Sequence, residues 1–152
     1  MTKKLKLYLD TSVFGGFFEK EFEEHTRPLF ERIANGEFIL LISDATQEEL
    51  VTAPPHVRDL LASINVNYIE DVKTTDEAYD LAKEYIKENV VGQTSFTDCI
   101  HIALATIRKA DYLVSWNFKH IVNVQRIRGY NAINIKNGYS LIEIRSPREF
   151  AL

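Results

Sequence analysis

KKLKLYLDTSVFGG, residues 3–16, decides the fold class. Lys4 and Lys6 alternate with Leu5 and Leu7, the two-residue period of a strand, so Lys3–Leu9 reads as a strand ending at Asp10. An acid that closes an apolar strand, with Thr11-Ser12 and Gly15-Gly16 behind it, suits chemistry better than packing. Thr11–Gly16 reads as a loop. The next strand is Phe38–Ile42 (FILLI), a continuous apolar run. Such a run fits a strand buried on both faces, as in parallel sheets covered by helices.

Around these strands the period becomes helical. Residues 18–34 carry Phe22, Leu29, Phe30 and Ile33 at helical spacing, and Asn35-Gly36 stops that helix. Ser43-Asp44 caps a helix through Val51, interrupted by Pro54-Pro55. A short helix from His56 to Ile64 follows, then a third strand at Val66–Ile69. Thr74-x-x-Glu77 has capping-box spacing and opens a helix through Glu88; Ser95-x-x-Asp98 opens another to about Lys109. Tyr112–Ser115 reads as a strand, a helix is expected between Phe118 and Tyr130, and Ser140–Ile144 is the last strand. No repeat, low-complexity tract or linker interrupts the series. The expectation is a single α/β domain over residues 1–152, a parallel sheet of four to five strands covered by helices on both faces.

The totals agree. A chain of 152 residues suits one domain, and such a domain buries about 70% of its unfolded surface. The single cysteine, Cys99, makes no internal disulfide and reads as a small core residue. No apolar run approaches the roughly 20 residues that span a membrane. Lys3, Lys4 and Lys6 resemble the start of a signal peptide, but Asp10 arrives before an apolar segment develops, so the cytoplasm is the expected location. The net charge of −4 argues against holding nucleic acid on a broadly basic surface. An acidic enzyme of nucleic acid would neutralise phosphate locally, and divalent cations do that.

In parallel sheets, ligands bind beyond the carboxyl ends of the strands, which ranks the acids. Asp10 ends the first strand, Glu49 lies on the helix after the second, Asp98 opens the helix before Tyr112–Ser115, and Asn117 follows that strand. Carboxylates from separate elements suit Mg²⁺ or Mn²⁺, hard cations that prefer oxygen ligands. Local readings compete: Asp98 completing a capping box with Ser95, and Glu49 beside Glu48 as a solvated surface acid. His101 shares a helix face with Asp98 and reads as a satisfied core histidine or as a ligand. Thr11, Ser12 and Ser115 are hydroxyl donors near the same rim. Lys119 and His120 meet phosphate or solvent, and Trp116 stacks on a base or packs in the core.

The stretches LDTSVF (9–14), EL (49–50), DCIHIALA (98–105) and LVSWNFKHI (113–121) together resemble the PIN-domain nucleases, including the VapC-type ribonuclease toxins of toxin–antitoxin pairs. The resemblance extends over nearly the whole chain, to Gly129-Tyr130 and to Ser146-Pro147-Arg148-Glu149. It implies that Asp10, Glu49 and Asp98 bind the metal and that Asn117 stands where the family usually has a fourth acid. It also implies an RNA substrate, a small antitoxin partner and a homodimer.

Two other functions compete with a metal-dependent endoribonuclease. One is a nucleic-acid-binding module of the same fold, its catalysis weakened by Asn117. The other is an aspartyl-phosphate enzyme. Phosphatases of the haloacid-dehalogenase type need a second Asp two residues after the first, where this chain has Ser12, and receiver domains need an acidic pair that is absent before Asp10.

Overall fold

Leu7, Tyr8 and Leu9 are fully buried, and the strand that carries them, β1 (Leu5–Leu9), lies in the middle of a five-stranded parallel sheet. The computed structural model describes residues 3–92 and 95–150. After β1 come α1 (Thr11–Gly16), α2 (Glu23–Ala34), β2 (Phe38–Ser43), α3 (Asp44–Leu50), α4 (Pro55–Ala62) and β3 (Ile69–Val72). Then follow α5 (Asp76–Lys87), α6 (Phe96–Ile107), β4 (Tyr112–Val114), α7 (Val124–Lys136) and β5 (Ile144–Arg145). The strand order is β3-β2-β1-β4-β5, with Tyr8 opposite Leu41 on one side and Leu113 on the other.

The two-residue period of β1 sorts the core into two layers. Tyr8, Leu41, Val72, Leu113 and Ile144 face α5, α6 and α7. Leu7, Leu9, Leu40, Ile42 and Val114 face α1, α2 and α4, with Phe150 sealing the edge. Each fully buried leucine here stabilises the fold by roughly 2–5 kcal/mol relative to alanine. Both faces are covered, as the FILLI run required. No helix of the described residues is long and apolar enough to cross a membrane.

Several boundaries differ from the sequence reading, for local reasons. Thr11–Gly16 is helical rather than a loop: Val13 and Phe14 pack into the core and override the poor propensity of two glycines. The helix expected over 18–34 begins at Glu23, and the strand expected at Lys3 begins at Leu5. Val66–Tyr68 forms a turn of 3₁₀ helix instead of a strand, because the Asn65 side chain accepts from the Asn67 N–H; pairing resumes at Ile69–Val72. Thr75, not Thr74, caps α5 by accepting from the Ala78 N–H, while Thr74 is bound to Asp44. The helix expected between Phe118 and Tyr130 runs instead over Val124–Lys136, capped by the Asn123 side chain. The last strand is Ile144–Arg145, later than Ser140–Ile144.

Gly36 is required at the turn after α2. Its φ is +76°, and a Cβ there would meet the Tyr68 ring at 2.7 Å.

After β3 the chain crosses the sheet to place β4 beside β1, on the side away from β2. The order therefore reverses between β1 and β4. In doubly wound sheets a ligand crevice opens there, outside the carboxyl ends of the strands.

Candidate active site

Asp10 ends β1 at that crevice. Its backbone N–H donates to the carbonyl of Val114, the last residue of β4, at 3.3 Å. The side chain is 4% exposed and accepts two short hydrogen bonds, from Ser12 Oγ to Oδ1 and from Ser115 Oγ to Oδ2, both 2.6 Å. The two serines are themselves fixed: Ser12 Oγ accepts from the Trp116 N–H and Ser115 Oγ from the Asn117 N–H, each at 2.9 Å. The carboxylate is thus clamped by both strand ends at once.

Asp98 lies in the first turn of α6 but does not form the capping box its spacing allowed. Ser95 makes no side-chain cap bond; its Oγ contacts His120 Nδ1 at 2.8 Å. Asp98 Oδ2 instead faces Asn117 Nδ2 at 3.2 Å and His120 Nδ1 at 3.3 Å. Asn117 Oδ1 accepts from the backbone N–H groups of Lys119 and His120, so its amide ties the turn after β4 to Asp98. Glu49, on α3, accepts at Oε1 from Thr11 Oγ1 at 2.8 Å and meets His101 Nε2 at 2.5 Å.

The three acids feel one another. Burial pushes the Asp10 carboxyl above the ordinary carboxylate range, with Asp98 adding to the rise against the pull of His101, Ser115 and Ser12. Burial likewise raises Asp98, and Glu49 adds to it, against His120 and His101. Burial would also raise Glu49, but hydrogen bonding and charge from His101, then the bond from Thr11, bring it below its ordinary value. No lysine or arginine pairs with any of the three among the described residues. Nor do three His, Cys, Asp or Glu side chains converge there as a ready-made ligand set. Each acid is held by its own donors rather than against the other two. The donors are hard oxygens, and neither the buried Asp10 carboxyl nor the half-buried Asp98 carboxyl, both raised, has a lysine or arginine partner among the described residues. On both grounds the residues fit a divalent cation.

The hydroxyls at Thr11, Ser12 and Ser115, together with His101, therefore all touch the acids directly. Trp116 is buried, stacked on Phe22 with ring centroids 4.5 Å apart, and donates from Nε1 to Thr26, so it belongs to the core. Burial pushes the Cys99 thiol up to about 12, as befits a core residue. Tyr8, Ser43 and the Ser95–His120 contact escaped the sequence reading. The one signal was the phenol of Tyr8 on a buried strand, which needs a polar partner when it is buried.

The PIN domain family matches residues 7–118, which span β1 to the turn beyond β4 and include all four of Asp10, Glu49, Asp98 and Asn117. Solved structures of similar fold include VapBC2 from Rickettsia felis bound to a DNA fragment from its promoter. That likeness has a TM-score of 0.58 and 16% identity, over 93% of this chain and 98% of that one. DNA-bound VapBC from Salmonella typhimurium gives 0.56 and 18%, over 94% and 98%. VapC20 from Mycobacterium tuberculosis, a sarcin–ricin-loop-cleaving toxin, gives 0.55 and 13%, over 74% and 91%. No curated protein matches the sequence. The family match covers most of the chain, from β1 to beyond β4, so this chain belongs to the PIN domain family.

Proposed function

We propose that this protein is a divalent-metal-dependent endoribonuclease, and that it is the toxin of a toxin–antitoxin pair. The observation that carries the reading is the Asp10 carboxyl: buried at the crevice between β1 and β4, raised by burial and by Asp98, and clamped by two serines with no lysine or arginine partner among the described residues. Asp10 and Asp98, with Glu49 as third acid, would hold Mg²⁺ or Mn²⁺. The bound ion would polarise the phosphodiester and lower the pKa of an attacking water. The protein's own part is orientation. Ser12 and Ser115 fix Asp10, Asn117 and His120 fix Asp98, and Thr11 and His101 fix Glu49. Asn117 thus enters the site as a donor that orients Asp98.

RNA as substrate, a small antitoxin as partner, a homodimer and a cytoplasmic setting are supported by family membership and by the likeness to the VapBC complexes and the VapC20 toxin. A second reading, a PIN-fold module that binds nucleic acid without cutting it, is favoured by one observation. The amide oxygen of Asn117 is already engaged by two backbone N–H groups and supplies no fourth anion. Incubation of mixed RNAs with Mg²⁺, Mn²⁺ or EDTA separates the two. Cleavage that requires metal and disappears in Asp10→Asn is expected. RNA retained but uncut with either metal supports the binding module.

A further inference from the structure

We infer that His101 is a positioning residue for Glu49, its ring held in one orientation by a buried hydrogen-bond chain through Tyr8, Ser43 and Thr46 to the carbonyl of Leu9. The inference deepens the nuclease reading and rests on it for what Glu49 does.

The chain is anchored at its far end. A carbonyl accepts only, so Thr46 Oγ1 donates to the Leu9 oxygen at 3.3 Å and accepts from Ser43 Oγ at 3.2 Å. Ser43 Oγ also accepts from the Thr46 backbone N–H at 3.0 Å and lies 2.7 Å from the Tyr8 hydroxyl, which in turn lies 2.7 Å from His101 Nδ1. The ring is thereby fixed by a buried partner on the nitrogen that faces away from Glu49. The four side chains of the chain are at most 2% exposed, so the arrangement is shielded from competing water.

The other ring nitrogen meets Glu49. That acid is 40% exposed on a short helix, while the ring beside it is 2% exposed. An exposed glutamate samples several rotamers, and the buried ring holds one of them. His101 and Thr11 both engage Oε1, which leaves Oε2 for the site. The chain ends on the carbonyl of Leu9, the residue before Asp10, so Glu49 and Asp10 are referenced to one point of the backbone.

The imidazole ¹⁵N spectrum of the metal-free protein tests this without any cleavage. The four histidines are assigned with His101→Gln. A single set of His101 resonances is expected, shifted from those of an exposed imidazole, and Tyr8→Phe, which removes the buried partner, should move them. His101 resonances that Tyr8→Phe leaves in place overturn the chain. Cleavage kinetics with Mn²⁺ test the role. Loss of a partner that orients a ligand costs roughly 10- to 100-fold, so His101→Leu should lower kcat by that factor with KM for RNA unchanged. His101→Gln, whose amide N–H can still reach Glu49, should recover part of it. Parent-like kcat in folded His101→Leu overturns the role. If that variant does not fold, Tyr8→Phe carries the same test, with a fall in kcat at constant KM expected and parent-like kcat overturning it. A parent that cuts no RNA with any metal sinks the nuclease reading, while the imidazole spectrum still reports on the chain itself.

Discussion

Asn117 shows how far one residue type carries an inference. The family pattern led to a missing fourth acid; the structure puts the amide nitrogen on Asp98 Oδ2 and the amide oxygen on two backbone N–H groups. Asn117→Asp keeps the oxygen that accepts from the turn and replaces the donor facing Asp98 with a second anion. The metal-free variant should melt at lower temperature near neutral pH, because two carboxylates then oppose each other in a partly buried place. Mn²⁺ should restore the loss by binding the folded state, giving a larger thermal shift than in the parent. Thermal unfolding with and without Mn²⁺ measures both, and a shift no larger than the parent's places residue 117 away from the ion. Asp10 and Asp98 were singled out by local features, a strand end and a first helical turn, and Glu49 by the family resemblance. Their partners were not. Ser115 on Asp10 and His101 on Glu49 are contacts between elements far apart in sequence, which no local spacing encodes.

At the scale of elements, the order of strands and helices followed from periodicity, while starts and stops depended on which side chain found a backbone partner. Thr74 has the capping-box spacing with Glu77, yet Thr75 caps α5 because Asp44 at the start of α3 captures the backbone N–H and hydroxyl of Thr74. The two are separable by urea denaturation. Thr75→Ala removes a cap and should cost about 1 kcal/mol. Thr74→Ala removes an exposed bond and should stay within about 0.5 kcal/mol. The reverse ranking would return the cap to Thr74. The short helix α1 was hidden for a different reason. Its sequence, TSVFGG, has little intrinsic helical preference, and burial of Val13 and Phe14 forms it.

For the whole molecule, the sheet order explains why Asp10 and Asp98 lie on one rim and what their burial costs. A carboxyl whose folded pKa is raised binds its proton more tightly in the folded state than in the unfolded one. Its contribution to stability is present below the unfolded pKa and is lost as pH rises through the folded pKa. Asp10 and Asp98 are both of this kind, so the metal-free protein should lose stability as pH climbs through the range above the ordinary carboxylate values. Asp10→Asn removes one of these charges while keeping the shape. In EDTA near neutral pH it should melt higher than the parent, and it should lose the parent's stabilisation by Mn²⁺. An unchanged or lower melting temperature in EDTA would mean that the serine clamp compensates fully for burial of the charge. The most direct test of a cation held by these carboxylates is calorimetric titration of Mn²⁺ into the parent and into folded Asp10→Asn. The account expects saturable binding to the parent and binding weakened by roughly tenfold or more in the variant, since an amide replaces a hard anionic ligand. Equal affinity in both proteins would contradict it.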